Sequence, residues 1–132
     1  LVQGYIEDAP VGPFDAATCL LTLHLIPDDG AKLAALQEIH RRLAGGAPLL
    51  VVDNCIDFAA PDADLHMARY ARFAIDSGMD AAQMEQWKTA IRSTGMISAV
   101  REEQLLAEAG FTRIQLFFAG LSWRGWKVHA QR

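Results

Sequence analysis

The chain has 132 residues, 52% apolar and 21% charged, with 12 basic against 16 acidic side chains and a formal charge of −4. That suits one globular domain with a core of its own. It leaves no room for an apolar run of about 18 residues that would cross a membrane, shows no secretory leader, and lacks the basic stripe of a nucleic-acid module. Two cysteines, Cys19 and Cys55, are too few for a disulfide framework and have no metal-ligand spacing. A reducing, cytoplasmic setting and no bound metal are therefore expected. In chain order, Leu1-Val2 reads as the close of a strand, so the chain is expected to open inside a larger sheet. Residues 4–13, with two prolines and two glycines, read as a loop. Residues 14–23 (FDAATCLLTL) are nearly all apolar and predict a strand buried on both faces, as in a parallel sheet. Pro27-Asp28-Asp29 then opens a helix with an aspartate N-cap. Leu33, Leu36, Ile39 and Leu43 recur at helical spacing, Arg41 and Arg42 fall in the last turn, and Gly45-Gly46 offers a left-handed cap. Residues 48–53 (PLLVVD) predict a second buried strand, which completes a right-handed βαβ unit.

The character changes after that. Leu65, Ala68, Tyr70 and Ile75 suggest one helix, and Met84, Trp87, Lys88 and Ile91 a second, divided by Gly78. Together they form a helical insert over about residues 56–100 of a single domain, 1–132. Residues 101–109 predict a third helix capped by Gly110. Residues 112–119 and 123–130 read as an antiparallel hairpin at a sheet edge, with Trp123 and Trp126 packed against helices. The fold class is α/β, with roughly four strands and four helices.

Three phrases in this order, FDAATCLLTLHLIPD, RRLAGGAPLLVVD and EEQLLAEAGF, followed by a hairpin, resemble the C-terminal two-thirds of a class I S-adenosylmethionine-dependent methyltransferase. The resemblance implies a partial Rossmann-like methyltransferase sheet with an antiparallel C-terminal hairpin. It also implies S-adenosylmethionine as the cofactor of the complete protein and a small-molecule methyl acceptor. The family's glycine-rich cofactor loop and ribose-binding carboxylate have no counterpart in these residues. Gly4-Tyr5 stands where Gly-Asp is frequent, and the Pro-Gly-Gly turn reads Gly45-Gly46-Ala47. The chain alone is therefore expected to be inactive.

Carried over position by position, the resemblance places Gly4, Tyr5 and Ile6 at the adenine edge. Leu20 and Leu21 fall at the carboxyl end of a strand, where open α/β sheets bind ligands. Their carbonyls are placed to accept from the cofactor's ammonium, although their side chains suit the core. His24, just past that strand, is a candidate general base or substrate contact. Asp53, closing the next strand, is a candidate to orient a nucleophile or hold a cationic substrate; capping the following loop with Asn54 is the plainer role. Tyr70, Trp87 and Met96 are the candidate substrate-binding residues, though side chains of these types at helical spacing also build cores. With the preceding strands absent, strand 14–23 becomes a flat apolar edge, so a homo-oligomer formed through it is expected. The alternatives are a non-catalytic α/β interaction module that has lost its cofactor site, and half of another nucleotide-binding enzyme. The antiparallel hairpin argues against the latter.

Overall fold

The computed structural model describes residues 2–132. Leu1, half of the predicted strand end, lies outside the described residues, and Val2 is exposed and outside any strand. The elements are β1 (Ala17–Leu20), α1 (Ala31–Arg42), β2 (Pro48–Asn54), α2 (Ala63–Asp76), α3 (Ala81–Ile91), α4 (Ala99–Glu108), β3 (Phe111–Gly120) and β4 (Trp123–Ala130). The sheet order is β1-β2-β4-β3, with β1 parallel to β2 and β4 antiparallel to both its neighbours. The expected antiparallel hairpin thus lies at the sheet edge, with β3 outermost and β4 between β2 and β3.

Alternation decides which side chains enter the core. Leu49 and Val51 of β2 pair with Val128 and Trp126 of β4 and point to one face, where all four are fully buried. Leu36 and Leu43 with α1, and Leu105 and Leu106 of α4, cover that face. The opposite face is open and carries Thr18, Leu20, Leu50 and Phe118 exposed. The expectation of strands buried on both faces is thus corrected: one layer of helices covers one side of the sheet.

The predicted ten-residue first strand is also shorter. β1 keeps four residues, Leu21 turns into the left-handed region (φ 54), and a 3-10 turn follows at Leu23–Leu25. At the start of the run Phe14 makes only an isolated parallel bridge to Leu43, and at its end Leu23 fills the core from the turn. At the start of α1 the N-cap is Gly30, although Asp29 Oδ1 accepts from the Ala31 amide at 3.1 Å. At its end Leu43 closes the helix in extended backbone, and the left-handed glycine is Gly46 (φ 87), in the turn into β2. Gly45 caps nothing. Buried Arg42 donates to the carbonyls of Glu7 and Ala9 and pairs with Glu38, which ties the N-terminal loop to α1. Among the described residues no helix is long and apolar enough to cross a membrane.

Candidate active site

The carboxyl ends of β1 and β2 form one rim, and the two catalytic candidates meet there. Asp53 shares the core face of β2 with Leu49 and Val51, because residues two apart point the same way. A carboxylate in that register is 1% exposed and needs a partner. The partner is His24, lifted off the end of β1 by the 3-10 turn that Leu23 anchors. His24 Nδ1 lies 2.5 Å from Asp53 Oδ1, and the His24 side chain is 18% exposed. A carboxylate only accepts, so the ring nitrogen facing it carries the proton. Nε2 is then the nitrogen left for a ligand, with a free lone pair in the neutral ring. Asp53 Oδ2 is buried without a partner.

His24 opens onto a cavity of about 400 Å³. Its wall is aromatic: Tyr70 of α2 stacks on Trp87 of α3 at 4.4 Å between centroids and 14° between planes, and Trp123 meets Tyr70 edge-on at 5.3 Å. Met96, Leu21, Leu25 and Ile91 add apolar surface, while Thr94 and Asn54 add polar groups. Burial pushes the Tyr70 hydroxyl pKa up, so it stays a neutral phenol. The Asn54 side-chain oxygen is buried with no partner, and Asn54 is among the residues that line the cavity.

Four of the ten residues singled out from sequence, His24, Tyr70, Trp87 and Met96, therefore line one cavity, and Asp53 backs it through His24. Leu21, expected beside Leu20 on the cofactor side, lines it too. Gly4, Tyr5, Ile6 and Leu20 line a separate groove of about 850 Å³ across the outer side of β1 and α1. Their polar groups are partly engaged: the Tyr5 amide donates to Asp8 Oδ2 at 3.0 Å, and the Leu20 carbonyl accepts from Thr22 Oγ1 at 3.0 Å. Tyr5 itself is 84% exposed. Trp123 and Trp126 both pack against helices, as expected: Trp123 meets Tyr70 and Phe73 of α2 edge-on, and Trp126 is fully buried, with its Nε1 donating to Glu103 of α4 at 2.8 Å. Burial, helped by Asp53 and Glu102, pushes the Cys19 and Cys55 thiols up to about 12, so neither serves as a nucleophile at neutral pH. Among the described residues no group of three or more His, Cys, Asp or Glu side chains could hold a metal ion.

The strand order β1-β2-β4-β3, with helices on its core face, is the C-terminal part of the class I S-adenosylmethionine-dependent methyltransferase fold. Three solved structures of that kind superpose on nearly the whole chain. Human N-acetylserotonin methyltransferase, solved with SAM, matches at TM-score 0.65 and 18% identity, over 99% of this chain and 33% of its own. An O-methyltransferase family 2 protein from Planctomyces limnophilus, solved with apigenin, matches at 0.62 and 16%, over 96% and 33%. PigF, solved with SAH, matches at 0.58 and 18%, over 92% and 32%. The chain thus spans about a third of the length of these structures. No family model and no curated protein matches it.

Proposed function

We propose that this chain is the acceptor-side portion of an S-adenosylmethionine-dependent O-methyltransferase acting on flat, hydroxylated aromatic small molecules. The observation that carries the reading is the His24–Asp53 pair at the strand rim, opening onto an aromatic cavity. His24 Nε2 takes the proton of the acceptor hydroxyl, and Asp53 fixes the ring orientation and stabilises the imidazolium that forms. The Tyr70–Trp87 stack and Trp123 hold the acceptor ring, and Asn54 gives it a second polar contact. Bound S-adenosylmethionine supplies the electrophilic methyl group. Holding acceptor and donor in line is worth roughly 7–11 kcal/mol in such a displacement.

The residues present fit only one wall of a donor site. The groove edged by Gly4, Tyr5, Ile6 and Leu20 offers apolar surface to an adenine ring, without the glycine-rich loop that cradles the rest. Calorimetric titration is expected to give a heat for apigenin and little or none for S-adenosylmethionine, with no turnover by the chain alone. Trp87→Ala should weaken apigenin binding roughly 3- to 10-fold through loss of the stack. No binding of apigenin or of simpler phenols to the wild-type chain would overturn the acceptor reading.

The same reading includes a homo-oligomer formed through residues 14–23, because β1 is an open edge with Thr18 and Leu20 exposed. Sedimentation velocity is expected to show a dimer that Leu20→Lys converts to monomer. A wild-type monomer across the micromolar range would sink this part.

A further inference from the structure

We propose that Lys32 is a positioning residue: its ammonium, held against Glu102, pins loop 92–98 to the turn that carries His24 and so sets the width of the acceptor cavity. This rests on the acceptor reading for its functional meaning, but the clamp itself is independent of any ligand.

The geometry is specific. Lys32 of α1 is wholly buried, its Nζ donates to the Gly95 carbonyl at 2.7 Å, and Glu102 Oε2 of α4 lies 3.8 Å from it. Gly95 in turn presses on the segment just after the His24 turn. A Cβ there would lie 2.0 Å from the Ile26 carbonyl oxygen and 2.9 Å from Pro27 Cα. Thr94 and Met96, the two neighbours of Gly95, line the cavity that His24 lines. The buried cation therefore holds the carbonyl between two cavity-lining residues, and Gly95 itself packs on the segment that follows His24. The side-chain hydrogen bonds of Ser93 and Thr94 stay local to α3, on the Ala90 and Ile91 carbonyls, and do not reach across. An apolar side chain at position 32 would fill the same space but hold no carbonyl.

The charge on Glu102 is what tunes the clamp. The charged and titratable groups around that carboxylate are Lys32 from α1, Asp53 from β2, Asp28 from the approach to α1, Arg101 on its own helix, and the thiols of Cys19 and Cys55. Burial above all, then Asp53 and Asp28 against the pull of Lys32, pushes Glu102 up to about 7. Protonation below that pH removes the counter-charge of Lys32 and loosens its hold on Gly95.

The test is amide hydrogen exchange over residues 93–98 at pH 6 and 8, corrected for intrinsic rates, in the wild type and in Lys32→Met/Glu102→Leu. The double variant replaces a buried ion pair by apolar side chains of similar size, a change that proteins commonly tolerate. Its loop should exchange about tenfold faster or more at pH 8, since a charged hydrogen bond is lost. Apigenin affinity should fall by about the same factor through the loosened wall. The wild-type loop should be better protected at pH 8 than at pH 6, and the double variant should show no such difference. Glu102→Gln, which keeps the shape and removes the titration, should lose the pH difference too, and serves if the double variant does not fold. Unchanged loop exchange in either variant overturns the clamp. Failure of apigenin to bind the wild type would instead strike the acceptor reading, while the exchange result still decides the clamp.

Discussion

Replacing His24 with alanine is expected to slow methyl transfer to a phenolic acceptor by roughly 10²–10⁴-fold in the enzyme with its donor site present, with little change in KM. The reason is in the pairing. Asp53 takes the proton-bearing Nδ1, which leaves Nε2 as the one basic side-chain atom among the described residues that line the cavity. Without it, only acceptor already ionised in solution reacts. The residual rate of the variant should therefore rise about tenfold per pH unit toward the phenol's own pKa near 10, while the wild type should not follow that slope. Asp53→Asn is expected to cost less than His24→Ala but to change the pH profile, because an amide can donate to the ring as well as accept. A parallel loss in kcat for both variants with an unchanged pH profile would mean that the pair shapes the cavity and moves no proton.

Much of this site was legible from sequence, for a definable reason. His24 and Asp53 each follow a short apolar run, and consecutive parallel strands bring their carboxyl ends to one rim whatever their exact length. Tyr70, Trp87 and Met96 lie in the segment that must cross above that rim. Trp123 packs against a helix as its sequence suggests, but its place at the cavity depends on strand order. It begins β4, and antiparallel pairing with β2 sets it opposite Asn54, at the same rim. Nothing local tells which strand of an edge hairpin is the outermost one. Lys32 and Glu102 were missed although a signal was present. Lys32 is four residues before Leu36, and Glu102 stands three and four before Leu105 and Leu106, so each lies on an apolar stripe. Opposite charges on the core stripes of two helices are the mark of a buried pair. The short β1 was misjudged because composition cannot tell a buried strand from a strand followed by a tight turn, and Leu21 at φ 54 is not a residue that announces one.

The buried pair also leads to the largest stability effect expected. Lys32→Met should destabilise the fold by about 3–5 kcal/mol at pH 8, because it leaves the Glu102 carboxylate buried without its counter-ion. The loss should shrink at pH 5, and the sign follows from linkage. The folded Glu102 has its pKa raised from the ordinary 4.5 to about 7, so between those values the folded chain holds a proton that the unfolded chain releases. Its contribution is fully present below pH 4.5 and is lost as pH rises through 7, at most about 3 kcal/mol across the window. Lys32 is the strongest influence holding that pKa down. Without it the window extends upward, and the variant suffers most where the wild type has already ionised Glu102. Urea unfolding of both proteins at pH 5 and pH 8 measures this directly as the difference between them. In Lys32→Met/Glu102→Leu both charges are gone, and stability at pH 8 should match or exceed the wild type by about 1–4 kcal/mol. A Lys32→Met loss that is the same at both pH values would assign the cost to packing alone. The ion pair would then have no part in stability.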